Sequence, residues 1–99
     1  MNILKYVLDI KDIQTIEIGD LYALPIAVAE QNGKLVMWAE TSPPNNPPSS
    51  YIITVVIVAT GYEKDYGLNQ EKKIPYVGTV VMSNGLVWHV YALWSEKRS

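Results

Sequence analysis

The chain has 99 residues and no cysteine, and its eight lysines and arginines against ten aspartates and glutamates give a net charge of −2. The absence of cysteine excludes disulfides, thiolate metal sites and cysteine nucleophiles, and the charge gives no broad attraction to nucleic acids or anionic lipids. This length suits one domain with its own core, and no apolar run approaches the roughly 20 residues of a membrane helix. Neither non-specific nucleic-acid binding nor a membrane location is expected.

The first two apolar segments predict a pair of short strands. Residues 3–10 alternate between apolar and polar side chains, which is typical of a half-buried strand. Lys11 and Asp12 interrupt the alternation, and residues 14–18 resume it. The two runs together predict a short two-strand unit at the start of the chain.

The next segment is rich in alanine and leucine but contains Pro25, which would remove a hydrogen bond from a helix. It is therefore predicted to be extended and to enter a strand at about Ile26. Asn-Gly at 32–33 follows, and these residue types accept the positive φ that a type I′ turn needs at both central positions. The turn pairs Gln31 with Lys34.

A second Asn-Gly turn, at 84–85, joins the two apolar runs of residues 74–94. The same two-residue turn predicts that Val80 pairs with His89. Both faces of the resulting hairpin are then apolar, so both must be covered. This hairpin is expected to lie at the centre of the fold.

The remaining segments differ sharply in composition. Residues 51–60 are almost wholly β-branched and predict a strand buried on both faces. Residues 41–50 hold four prolines and predict an exposed loop, residues 62–73 predict a polar loop, and residues 95–99 a frayed tail. The whole chain, 1–99, is predicted to be a single all-β domain of about seven mainly antiparallel strands, arranged as a small sandwich or barrel.

Few residues suggest chemistry. His89 is the only histidine, and its position inside an apolar strand favours a packed side chain with one ring nitrogen satisfied. A Ser-His-Asp triad would need a nucleophile signature, and a metal site would need clustered ligands. The chain shows neither, nor a phosphate-binding glycine loop. The sequence therefore predicts no enzyme, no metal site and no cofactor.

The polar loop at 62–73 is the best candidate for ligand binding. Its aromatic rings would stack on a base, and its lysines would meet phosphates. The alternative is a hydrophilic loop whose tyrosines lie against the domain. The candidate binding residues are Tyr62, Lys64, Tyr66, Lys72 and Lys73.

Three stretches resemble a family of small uncharacterised proteins encoded by bacteriophages and prophages. They are KYVLDIKDIQTIEI at 5–18, EQNGKLVMWAE at 30–40 and YVGTVVMSNGLVWHVY at 76–91. The resemblance implies a phage setting and, with it, the host cytoplasm, but no known activity. Three residues on matching positions are expected to be packed: Trp38, Trp88 and His89.

These observations favour a phage-encoded, non-catalytic binding protein. It would inhibit a host defence factor or sequester a nucleotide signal, and its surplus apolar faces predict a homo-oligomer. The alternative is an accessory or assembly domain of the virion. An enzyme ranks third.

Overall fold

The computed structural model describes residues 2–43, 50–60 and 74–97. These ranges contain seven strands, all paired antiparallel, and no helix, which confirms the predicted all-β class. The strands are β1 (Asn2–Leu8), β2 (Ile13–Gly19), β3 (Tyr22–Gln31), β4 (Lys34–Ser42), β5 (Tyr51–Ala59), β6 (Tyr76–Val81) and β7 (Val87–Glu96).

The strands form a sandwich of two sheets. The small sheet has the order β1-β4-β3, and the large sheet has the order β2-β5-β7-β6. Strand β3, at the edge of the small sheet, packs across β6 and β7 of the large one. The buried residues between the sheets form one core: Leu8, Ile18, Ala23, Leu35, Met37, Ala39, Ile53, Val55, Ile57, Val80, Met82, Val90 and Ala92.

The predicted pairing of the first two strands is wrong. β1 pairs along its length with β4, and β2 pairs with β5, so the two strands lie in different sheets. The connection between them is closed by Gln14, whose side chain accepts a hydrogen bond from Asp9 N (3.1 Å) and donates one to Asp9 O (2.7 Å). Placing the strands in opposite sheets lets both contribute to one core, to which β1 gives Leu8 and β2 gives Ile18.

The first hairpin confirms its predicted turn. Gln31 lies opposite Lys34, and φ is 51° at Asn32 and 79° at Gly33, as a type I′ turn requires. β3 begins at Tyr22, before the predicted start, and includes the proline. An edge strand accepts Pro25 because one side of its backbone has no ladder partner.

The second hairpin differs from its prediction by one residue. Val80 lies opposite Trp88, and Thr79 lies opposite His89. Gly85 N donates to Met82 O (2.9 Å), so the turn is one residue longer than a two-residue hairpin turn. This register turns Thr79 and His89 to the outer face of the large sheet, because opposite residues share a face.

Side-chain hydrogen bonds explain why the longer turn forms. Asn84 has no positive φ; its Oδ1 instead accepts a hydrogen bond from Leu86 N (3.0 Å). The Glu30 carboxylate accepts from both Ser83 N and Ser83 Oγ, each at 2.9 Å. A tertiary contact thus fixes a turn that the local sequence does not predict.

The β-branched strand β5 lies centrally in the large sheet, between β2 and β7. Three consecutive residues, Val55, Val56 and Ile57, are buried. Because successive side chains point to opposite faces, this confirms the prediction of a strand buried on both faces.

The boundaries of the proline-rich loop and of the tail also differ from the predicted ones. Thr41 and Ser42 continue β4 into the predicted proline-rich loop, of which 44–49 lie outside the described residues. β7 continues through Glu96, so the first part of the predicted tail is ordered by pairing rather than frayed. No helix among the described residues has the length and apolar character to cross a membrane.

One surface ion pair ties the end of the described chain to the large sheet. Lys97 Nζ contacts the Glu17 carboxylate, and Lys97 N donates to Ser50 O at 2.7 Å. The hydrogen bond from Lys97 and its charge lower the pKa of Glu17. Both side chains are exposed, so the pair adds little to stability.

Candidate functional site

The residues predicted to bind a nucleotide lie outside the part of the chain that the structure describes. These residues are Tyr62, Lys64, Tyr66, Lys72 and Lys73. The three residues predicted to be packed can be placed. Trp88 packs against the core, whereas Trp38 is half-buried on the outer face of the small sheet.

His89 lies on the outer face of the large sheet in a chain of hydroxyl groups. Its Nε2 is 2.8 Å from Thr60 Oγ1, and its Nδ1 is 2.9 Å from Thr79 Oγ1. The hydroxyl of Thr79 also hydrogen-bonds the hydroxyl of Tyr76. Both ring nitrogens therefore have partners, one more than the sequence predicts.

The described residues around His89 form neither an oriented nucleophile–base pair nor a cluster of metal ligands. A hydroxyl nucleophile next to a histidine needs a third group that orients the base, but two threonine hydroxyls occupy both nitrogens here. Among the described residues, no cluster of three histidines or carboxylates could hold a metal ion. The hydrogen bonds thus satisfy an imidazole on a sheet surface.

A groove with a cavity volume of about 270 Å³ lies where the edges of the two sheets meet. It is formed by the start of β3, the start of β6 with the preceding proline, and the end of β7. The residues that line it are Tyr22, Ala23, Leu24, Pro25, Pro75, Tyr76, Val77, Ala92, Leu93 and Trp94.

Irregular edge strands open this groove. Register shifts occur between Pro25 and Ala27 in β3 and between Tyr76 and Gly78 in β6, beside the groove in each strand. Such bulges bend a strand away from regular pairing. Beyond the bulges, β3 and β6 approach each other closely. A Cβ added at Gly78 would lie only 2.9 Å from Val28 Cγ2.

Trp94 anchors the wall of the groove. Its ring is 4.6 Å from that of Tyr51 in a stacked arrangement, and 4.7 Å from that of Tyr22 in a tilted one. The indole Nε1 donates to Leu21 O at 3.0 Å. Held by two rings and at its nitrogen, the indole is a fixed aromatic surface rather than a mobile one.

Among the described residues, no charged side chain lines the groove. The indole N–H is already bonded, so the phenol groups are the main side-chain polar groups of the wall. Aromatic rings and prolines offer flat apolar contact, and the tyrosine hydroxyls add a few hydrogen bonds. This chemistry suits an uncharged, flat, apolar ligand.

A second cavity of about 120 Å³ continues the groove around the edge of β3. It is lined by Tyr22 and Leu24, which also line the groove, and by Glu40, Thr41 and Ser42 on β4. The two cavities flank the same edge strand. An extended ligand could therefore contact both.

Sequence reasoning missed the groove because its walls come from three distant stretches. The contributing stretches, 22–25, 75–77 and 92–94, lie in different predicted elements. The available signal is the placement of proline next to aromatic residues at strand ends. These residues can be recognised as one site only when the strand order is known.

Comparisons with known proteins give a family without an activity. The family described as Domain of unknown function (DUF7352) matches residues 1–99. No curated protein and no solved structure matches the chain.

Proposed function

We propose that this chain, which belongs to the family DUF7352, is a non-catalytic binding protein that holds an extended, proline-containing segment of a partner protein. The observation that carries the proposal is the groove of aromatic and proline residues, to which the described part of the chain contributes no charged side chain. The proposal names the groove as the binding site and a protein segment as the ligand.

The shape of the groove favours a peptide over a small enclosed ligand. Sites for small molecules usually measure about 300–1,000 Å³ and enclose most of the ligand, whereas this groove holds about 270 Å³ and continues around an edge strand. Proline-rich segments dock on aromatic-lined grooves because their extended helix is already formed, so little conformational entropy is lost on binding. The rigid Trp94 and the neighbouring Tyr22 supply such a surface.

The charge distribution disfavours a nucleotide in this groove. A phosphate needs a cation or converging N–H groups, and no lysine or arginine within 2–43, 50–60 and 74–97 lines the groove. The predicted nucleotide-binding residues, at 62–73, lie outside the described residues. A nucleotide is therefore the competing outcome of the binding test.

The resemblance to phage and prophage proteins supplies a setting for this proposal. In that setting the partner is a host protein, such as a defence factor, encountered in the host cytoplasm. The proposed groove does not depend on the setting, since its contacts are the same whichever organism supplies the segment.

Titration with peptides tests the groove directly. Decaproline should bind the protein, and a glycine-serine decapeptide should not, as measured by isothermal titration calorimetry. Leu24→Ala should weaken decaproline binding about tenfold, which is the effect of losing one well-buried apolar contact. Leu86→Ala should leave it unchanged, because Leu86 is equally exposed (52% against 51%) but does not line the groove.

Three results would overturn the proposal. They are an absence of heat with decaproline, equal binding of the glycine-serine peptide, and identical behaviour of the two leucine variants. If a cyclic dinucleotide gave a heat of binding that neither leucine variant changed, the binding site would lie outside the groove.

A further inference from the structure

The outer face of the small sheet carries a set of apolar side chains. In the register of β1, β4 and β3, the apolar residues on this face between the two ends are Ile3, Val7, Leu24, Ala27, Ala29, Val36 and Trp38. Ile3, Val7 and Leu24 are each more than half exposed. The sandwich leaves these apolar side chains without a covering sheet.

The two ends of this face carry opposite charges. Lys34 begins β4 at one end of the face. Glu40 lies near the other end of β4 and on the same face, because every second side chain of a strand points the same way. Among the described residues, neither side chain has an ionic partner. The face therefore has one positive end, one negative end and a middle of apolar side chains that the Lys5 side chain crosses.

The middle of the face is already ordered. Lys5 Nζ donates to Gln31 Oε1 at 3.0 Å, so the Lys5 side chain runs from β1 across β4 to β3. Val36, on the outer face of β4, is only 2% exposed. Trp38 stands beside this covered strip as the largest side chain of the face.

We propose that this face is the interface of a homodimer, in which a second copy packs against it about a two-fold axis. An axis that lies in the plane of the interface, perpendicular to β4 and level with Met37, places Lys34 of each copy over Glu40 of the other. The same axis places Trp38 over the strip of the other copy that the Lys5 side chain crosses, because Val36 itself is only 2% exposed. Two charge contacts and two indole contacts form at once, as an isologous interface requires.

The distances of sheet packing allow these contacts. Packed sheets lie about 10 Å apart, a gap that a lysine and a glutamate side chain span together from opposite sides. Ile3, Val7 and Trp38 then leave water, while Lys5 keeps its hydrogen bond to Gln31. Lys34 and Glu40 form a charged rim, as in many protein interfaces. Because the face is narrow, the dimer should form in the micromolar concentration range.

Charge-reversal variants test the dimer by sedimentation equilibrium across a concentration series. Lys34→Glu alone and Glu40→Lys alone should each raise the dissociation constant about tenfold or more, because both contacts become repulsive. An equimolar mixture of the two variants should form a heterodimer. One of its charge contacts keeps the original pair of side chains, and the other joins the two substituted side chains, which again have opposite charges. The double variant should also dimerise.

Lys11→Glu is the matched control, since it makes the same change of charge in the connection between β1 and β2. It should dimerise like the unmodified protein, and thermal unfolding should show all variants folded. A protein that stays at the monomer mass of 11.1 kDa at high concentration would overturn the proposal. So would dimerisation that Lys34→Glu leaves unchanged, or single variants that do not restore each other when mixed. The peptide titration is compared with the Lys34→Glu variant, because Lys34 lines neither the groove nor the cavity that continues it.

Discussion

Trp94→Ala should lower the free energy of unfolding by about 3 kcal/mol and abolish peptide binding. Replacing a buried tryptophan by alanine typically costs about 3–5 kcal/mol, and Trp94 is partly buried, which places the cost at the lower end. The variant removes two ring contacts, with Tyr22 and Tyr51. It also leaves Leu21 O without its indole donor. Urea denaturation measures the change in stability.

Two further variants separate the contributions of the Trp94 ring contacts, of its N–H group and of tryptophan burial alone. Trp38→Ala removes another half-buried tryptophan, but one that has no hydrogen bond or ring contact among the described residues. It should cost about 1–2 kcal/mol and leave peptide binding unchanged. Trp94→Phe keeps a ring but loses the N–H, and should cost about 1 kcal/mol. Equal costs for Trp94→Ala and Trp38→Ala would contradict the role of Trp94 as an anchor.

Gly78→Ala should destabilise the protein by about 1–3 kcal/mol, which is the usual cost of overpacking a well-packed contact. The new Cβ would lie 2.9 Å from Val28 Cγ2, and valine has little rotamer freedom to move aside. Gly78 has no positive φ, so the backbone itself accepts alanine. The predicted loss therefore comes from the contact between β6 and β3 and is measured as a lower denaturation midpoint.

The double variant Gly78→Ala with Val28→Ala tests that origin. Removing the valine methyl groups makes room for the new Cβ, so the two changes together should cost less than the sum of the single changes. Strict additivity would show that the cost arises from something other than this contact. A matching Gly33→Ala change provides a comparison, because its φ of 79° strains the backbone while nothing lies within 4 Å of the added atom.

Strand positions can be predicted from the sequence because they depend on local patterns. Alternating side chains mark β1 and β2, a β-branched run marks β5, and Asn32 with Gly33 specifies a turn that needs no tertiary help. The seven strands and the all-β class follow from such signals. The predicted start of β3 is too late because proline is excluded only where both sides of a strand are paired.

Pairing between distant strands cannot be predicted in the same way. Nothing local to β1 and β2 shows that they enter different sheets. The second hairpin takes its register from Asn84 and from the carboxylate of Glu30, a residue distant in the sequence. That one-residue difference moves the pairing partner of His89 from Val80 to Thr79, and the groove depends on three segments that only the strand order brings together.

The three tryptophans give the most direct test of the proposed groove. Nitrogen-15 NMR resolves the indole N–H signals of Trp38, Trp88 and Trp94, which lie on the outer face of the small sheet, against the core and in the groove wall. On titration with decaproline, the Trp94 signal should shift progressively while the other two stay in place. A Trp94 signal that does not move at saturating peptide, or a larger shift at Trp38, would contradict binding in the groove.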